Sequence, residues 1–219
     1  MKLIGITGSV VDIKGKHVCI ANSGKDTLAD ILIRDFSNSQ VNAVKYSIAT
    51  PLVKIACMST GLEPYYFTSQ KFKKVKLDKL GGQTPRDVLV KAGCVLREKH
   101  GSDILLKLMV SKHSWFDGVV VIPDVRTEKE AQYIRYNGGQ IIHVIRRVNM
   151  HARDFLSSLT INRFDVATES ALNIITADMV CSLQGDTSIG FNVIYNNTPI
   201  RNGLCSTRFD NDAIMALNF

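Results

Sequence analysis

Ser23-Gly24-Lys25-Asp26-Thr27 stands where the hydrophobic period of the chain changes, and its reading decides the fold. Before it lies HVCIA (residues 17–21), a short apolar run of strand character. After it Leu28, Ile31, Leu32 and Phe36 fall on one face of a helix. Strand, Gly-Lys and helix in that order place unpaired backbone N–H groups and the positive end of a helix dipole beside a flexible glycine and a lysine. That combination suits phosphate, because glycine lets the backbone approach an anion and lysine adds a point charge. The usual first glycine of such a loop, five positions before Gly24, is replaced by Cys19. Two arrangements stay open. Either Gly8, which follows KLIGIT (residues 2–7), is that glycine and residues 9–22 are an insertion, or residues 17–21 lead into an unusually short loop. Asp26 sits where Ser or Thr normally holds magnesium, which leaves Thr27 or Asp26 for that work. Taken alone, Gly-Lys-Asp-Thr reads equally well as an exposed lysine at a helix start.

Working outward, KLIGIT reads as a first strand, with Lys14-Gly15-Lys16 as a turn before residues 17–21. Residues 44–48 suggest another strand. Thr50-Pro51 then opens a helix through about Met58, with Thr as N-cap and Pro at the first helical position. Thr84-Pro85-Arg86-Asp87 starts a further helix with a capping pattern, and Val88, Leu89, Ala92, Val95 and Leu96 keep its spacing. Ser102-Asp103 caps a shorter one. GVVVI (residues 118–122) is the clearest buried strand, closed by Pro123-Asp124. Thr127-x-x-Glu130 caps the next helix, Gly138-Gly139 ends it, and residues 141–145 form a second, largely apolar strand. Such a strand–helix–strand unit predicts a right-handed parallel crossover. Residues 149–168 are polar and arginine-bearing without a clean period, residues 179–183 suggest a last strand, and Asp186-Thr187 a final helix cap. The fold class that follows is α/β with a parallel central sheet.

Composition sets the outer limits. The chain has 219 residues, 45% hydrophobic and 21% charged, which suits one α/β domain with a substantial core. No apolar run approaches the roughly 20 residues needed to span a bilayer. The N-terminal apolar stretch is interrupted by Asp12 and Lys14, too soon for a secretory signal, so a cytosolic protein is expected. Cys19, Cys57, Cys94, Cys181 and Cys205 are scattered and odd in number, which favours buried free thiols over disulfides or zinc. His17, His100, His113, His143 and His151 have no metal-ligand spacing, and no hydrolase constellation stands out. Lys and Arg number 27 against 20 Asp and Glu, an excess suited to an anionic partner. Lys71, Lys73, Lys74, Lys76 and Lys79 carry much of it. Such a run is usually a solvated face, although it would also attract a nucleotide or contact nucleic acid.

Gly24-Lys25-Asp26-Thr27-Leu28-Ala29-Asp30 resembles the Gly-Lys-Asp-Thr phosphate loop of bacteriophage deoxynucleoside monophosphate kinases, and phosphomevalonate kinase of animals has a similar Gly-Lys-Asp loop. Lys45-Tyr46-Ser47-Ile48-Ala49-Thr50-Pro51-Leu52 looks like the phage family's Lys-Tyr, small residue, Pro-Leu segment. Thr84-Pro85-Arg86-Asp87-Val88-Leu89 is similar to its Thr-Pro-Arg-x-x-Leu helix, and residues 121–126 to its strand-end Asp-x-Arg. The stretch from Gly138-Gly139 to Arg146 continues the match, and residues 169–172 and 177–186 follow it weakly. The matching segments keep the family's order over most of residues 24–190. Departures lie in the phosphate loop, residues 149–168 and the tail.

The resemblance implies a P-loop kinase-like three-layer fold in a single domain over residues 1–219, with a helical acceptor-binding insertion at 45–111 and a lid at 149–168. It implies transfer of the γ-phosphoryl group of ATP to a deoxynucleoside monophosphate, with Mg2+ as cofactor. Another small-molecule P-loop kinase is the rival activity. A basic protein binding nucleic acid is the rival outside enzymes. Ser23, Gly24, Lys25, Asp26 and Thr27 would bind the donor phosphates, with Lys25 on the transferred group and Thr27 or Asp26 on magnesium. Asp124, at the C-terminal end of a parallel strand where α/β sheets bind ligands, would orient magnesium-bound water or take the acceptor's proton. Arg126 would reach the acceptor phosphate. So would Arg86, a cation in a helix's first turn that is easier to understand beside an anion. Lys45 would help frame the acceptor. Arg146, Arg147 and Arg153 would belong to the lid. Further expectations from the resemblance are a homodimer and a place in the cytoplasm of an infected host cell, with no membrane and no nucleic acid as partner.

Overall fold

A computed structural model describes residues 1–11, 17–19, 23–69, 71–147, 179–184 and 191–195. Its elements, in chain order, are β1 (Lys2–Val11), β2 (His17–Cys19), α1 (Lys25–Asn38), β3 (Ala43–Lys45), α2 (Thr50–Thr60), α3 (Pro64–Thr68), α4 (Pro85–His100), α5 (Ile104–Lys112), β4 (Val119–Ile122), α6 (Glu128–Tyr136), β5 (Gln140–Arg147), β6 (Met179–Gln184) and β7 (Phe191–Tyr195). Short 3-10 turns at Phe72–Lys74 and Asp78–Leu80 lie between α3 and α4. The chain divides into two compact units, one of residues 1–46 with 117–219 and one of residues 47–116.

The first unit is built on one sheet with strand order β3-β4-β1-β5-β6-β7. Strands β3, β4, β1, β5 and β6 are parallel to their neighbours, and β7 closes antiparallel on β6. The strand–helix–strand unit expected around GVVVI is present, but β4 and β5 are not neighbours. Strand β1 lies between them, with Ile4 level with Val121 on one side and Ile6 level with Ile142 on the other. The connection from β1 to β3 therefore runs across the sheet in one direction, and that from β4 to β5 in the other. Crossovers of one hand that run in opposite directions leave their helices on opposite faces.

The packing shows this. Leu28, Ala29, Leu32 and Phe36 of α1 bury Ile4, Ile6, Val119, Val121, Ile142 and Val144. The alternate residues face α6. A Cβ added at Gly5 would lie 2.6 Å from Ile141 and 2.7 Å from Ile134, so glycine is what lets α6 settle on β1. Two covered faces explain why the central strands are largely apolar instead of alternating. The α/β class with a layered parallel sheet follows directly.

Two boundaries differ from expectation for physical reasons. Strand β1 continues four residues past KLIGIT because β5 pairs with it throughout that extension and β2 joins its last two residues. Strand β5 pairs with it from Ile4 to Val11, while β4 stops at Gly5 and β2 takes up Val10 and Val11. Strand β3 stops at Lys45, although Tyr46 still donates to the Val121 carbonyl at 2.9 Å. Ser47 then begins a turn, its hydroxyl taking the Ala49 N–H and its carbonyl the Thr50 N–H. Thr50 is thus the first helical residue and caps nothing; no side chain caps α2.

In the second unit α2 packs against α4 and α5. Leu52, Ala56, Phe67, Leu105, Leu106 and Met109 are buried there. Thr84 and Asp87 form the expected capping box at the start of α4. Asp103 is the N-cap residue of α5 but makes no capping bond, and its carboxylate pairs with Lys107 at 2.8 Å. Two of the cysteines expected to be buried are not. Cys94 is exposed on α4 and Cys57 only half-buried on α2, and both are free thiols. Among the described residues no helix is long and apolar enough to cross a membrane.

Candidate phosphate-binding site

The second of the two routes into Ser23-Gly24-Lys25 needs residues 17–21 as a leading strand of the parallel core. Strand β2 is not a member of the parallel core. It folds back antiparallel on the end of β1, Val10 against Cys19 and Val11 against His17. Ser23, the next described residue, lies against Gly8 of β1. A Cβ at Gly8 would run into Ser23 Oγ and come within 3.2 Å of the Val144 carbonyl oxygen. Gly8 is therefore small because Ser23 rests on it.

From there α1 starts in an open state. Gly24 holds φ 90°, ψ 8°, a left-handed conformation that suits glycine, and its carbonyl accepts from the Leu28 N–H at 2.9 Å. No side chain caps the helix. Ser23 is fully buried, and its hydroxyl has no hydrogen-bond partner among the described residues. A buried hydroxyl left unsatisfied costs roughly 1–3 kcal/mol unless something else meets it. Buried groups in this condition call for a ligand, an ion or water. The first helical residue is Lys25, whose side chain is only 19% exposed.

Around this end the charges are interleaved. Lys25 Nζ lies 3.8 Å from Asp26, and Lys45 Nζ lies 3.6 Å from Asp26 and 2.7 Å from Asp30. Asp26 and Asp30 sit one turn apart on α1, so both reach the end of β3. The Lys45–Asp30 pair was not foreseen; the four-residue spacing of the aspartates was its only trace in the sequence. The Asp26 carboxylate is 66% exposed, and its two ion pairs are long. Beside it Thr27 offers a hydroxyl. One exposed carboxylate and one hydroxyl, with phosphates and water completing the shell, match the way Mg2+ is commonly held. The donor set fits that ion. Among the described residues no group of three or more His, Cys, Asp or Glu would hold a metal by itself.

No known protein family's profile matches the chain, and no curated protein sequence does. Among solved structures it is similar to one described in the characterisation of the PezAT chromosomal toxin–antitoxin system of the human pathogen Streptococcus pneumoniae. The identity is 14% and the TM-score 0.36, over 90% of this chain and 73% of that one. So slight a similarity adds nothing to what the strand order establishes.

The remaining candidates fall in several places. Asp124 is half-buried just past β4, at the same C-terminal edge of the parallel sheet as Gly8 and Lys45. Arg126 follows it, with its backbone N–H donating to Glu130 Oε2 at 2.7 Å. Arg146 is level with Val10, on the sheet face shared by Gly8 and Val144, which is the face α1 covers. Arg147 is the last residue of β5. Arg153 lies outside the described residues, as does the whole stretch 149–168 expected to form a lid.

Arg86 belongs to the other unit, in the first turn of α4. The dipole cost expected for a cation there is offset locally. Asp87 is the next residue, and its carboxyl is held below the usual range by hydrogen bonds from the Thr84 backbone and side chain, with help from Lys91 and Arg86. Sequence reasoning overlooked one polar pair beside the site. Ser9 Oγ lies 2.9 Å from His143 Nε2 across β1 and β5, and the adjacent Thr7 hydroxyl is buried without a partner among the described residues.

Proposed function

We propose that this chain is a phosphotransferase of the P-loop kinase type, and that it moves the γ-phosphoryl group of ATP to a deoxynucleoside monophosphate. The observation that carries the reading is the start of α1. An uncapped helix end, a left-handed Gly24, a buried unpartnered Ser23 hydroxyl and a half-sheltered Lys25 converge beside Gly8 of the central strand. Together they present N–H, O–H and ammonium donors to one anion. The choice of acceptor rests on the ordered resemblance to phage deoxynucleoside monophosphate kinases.

In this reading the first-turn N–H groups of α1 and Lys25 hold the donor's phosphates. An oxygen of the acceptor's 5′-phosphate forms a bond to the γ-phosphorus as the bond from that phosphorus to the bridging oxygen breaks. ADP leaves and the acceptor becomes a diphosphate. Such a reaction needs alignment and charge neutralisation more than covalent participation by the protein. Asp26 and Thr27 would hold Mg2+, which when bound offsets charge on the donor phosphates. Asp124 would take the acceptor's proton or order water. Arg126, Arg86 and Lys45 would meet the acceptor, which requires Lys45 to leave Asp30. Residues 45–111 would form the acceptor-binding insertion and residues 149–168 the lid, with Arg146, Arg147 and Arg153 on the phosphates. A homodimer in the cytoplasm of an infected cell completes the proposal.

The test is ADP release from ATP and magnesium with each of the four deoxynucleoside monophosphates, beside Lys25→Ala. Turnover with at least one acceptor, lost in the variant, is the expected result. Folded protein that turns over none of them sinks the assignment.

A further inference from the structure

The lysine run of the second unit adjoins a feature that the sequence did not disclose. Tyr65 and Tyr66 of α3 stack with centroids 4.2 Å apart, and Phe72 meets them edge-on at 5.5 and 5.8 Å. These rings pack on one another yet stay at the surface, Tyr65 being 47% and Phe72 37% exposed. The Lys71 ammonium stands 5.6 Å from the centre of the Phe72 ring. Lys71, Lys74, Lys76 and Lys79 are exposed in the same stretch of chain, Lys79 donating to the Gly61 carbonyl at 3.2 Å, and from residue 63 to 79 the only carboxylates are Glu63 and Asp78.

Exposed aromatic faces set among lysines of one sign present two complementary features at once. A planar π surface stacks on rings, and the ammonium groups neutralise a chain of anions. A nucleic-acid duplex satisfies only the second, since its bases are already stacked on each other; unpaired bases satisfy both. An ordinary solvated lysine face would have no need of three clustered rings.

We propose that Tyr65, Tyr66, Phe72 and the lysines from Lys71 to Lys79 form a binding surface for single-stranded nucleic acid, with bases on the rings and phosphates on the ammonium groups. The surface does not depend on the kinase reading and stands or falls separately from it.

The experiment is fluorescence anisotropy of a labelled 20-nucleotide oligothymidylate titrated with the full chain across a range of KCl concentrations. The wild type is expected to bind, with log K falling linearly against log salt by about 0.7 per phosphate neutralised. Tyr65→Ala with Phe72→Ala should weaken binding by about tenfold or more at unchanged salt slope, because stacking is lost and charge is not. Tyr65→Phe keeps the ring and should bind as the wild type does, which separates stacking from any loosening of α3. Lys71→Glu with Lys76→Glu changes two exposed side chains and should make the salt slope shallower. Absence of binding at low salt overturns the proposal. So does binding that ignores both double variants, since it would then come from the general basic charge. Competition by thymidine monophosphate as effective as the strand itself, per nucleotide, also overturns it by marking a mononucleotide pocket.

Discussion

Helices α1 and α6 both begin at the C-terminal edge of the same parallel sheet, and they treat their first turns in opposite ways. At α6 the end is closed from within. The buried Glu130 carboxylate accepts the Arg126 and Thr127 N–H groups at 2.7 and 3.0 Å, and Thr127 Oγ1 accepts the Glu130 N–H at 3.2 Å. The helix carries its own anion. At α1 no side chain caps the end, the cap residue is a glycine, and a lysine takes the first helical position. Both ends have the same orphan donors and the same positive dipole end. The closed end gains local stability, and the open one keeps its donors for something else.

Closing α1 in the manner of α6 is the strongest way to break this contrast. Thr27→Glu adds a carboxylate beside Asp26 in the first turn, at the position that Glu130 holds in α6. ATP turnover is expected to fall by about a hundredfold or more, the scale on which a single electrostatic stabiliser acts. Helix stability should hold or rise. Unchanged turnover would show that the open end is not used. The reverse experiment opens α6. Glu130→Ala strips a charged acceptor from two N–H groups, and the expected cost is about 2–3 kcal/mol in urea unfolding. A loss below half a kcal/mol would mean that water replaces the carboxylate at no penalty.

A smaller effect sharpens the role of Gly24. Gly24→Ala forces an L-residue into left-handed space at a cost of about 1–2 kcal/mol. The smallest concerns α4, closed like α6 by a capping box. Asp87→Asn should cost about 1 kcal/mol at neutral pH, with a definite pH dependence. The native carboxyl is held below its ordinary value, so its stabilising effect is fully present above the unfolded value near 3.9 and is lost as pH falls through the lower native value. Wild type and variant should therefore differ by a constant amount above about pH 5 and converge in stronger acid. A gap that widened in acid would contradict the depressed pKa.

What could be read in advance was local. The capping boxes at Thr84 and Thr127 depend on side chains three residues apart, and both formed as expected. The apolar runs, the second broken only by His143, became β4 and β5, and residues 179–183 fell within β6. Thr50 was misassigned because Ser47 supplies a competing turn just upstream. Helix α3 was missed because five residues are too few to show a period, and β7 because its run carries a polar residue. In the candidate site Ser23, Gly24 and Lys25 were visible as a motif. The Lys45–Asp30 pair and the burial of the Ser23 hydroxyl were not, since each depends on what the fold brings alongside.

By itself, then, the sequence determined the alternation of strands and helices, the closed starts of α4 and α6, and the presence of a glycine and a lysine at the start of α1. Those outcomes rest on interactions within one or two turns, which side-chain period and capping chemistry specify directly. Only the tertiary structure placed β1 between β4 and β5, folded β2 back along it and returned Ser23 to Gly8. Strand order and the contact of Ser23 with Gly8 depend on residues that are not sequence neighbours. Such contacts form when whole faces are buried together, and no local pattern encodes which faces will meet.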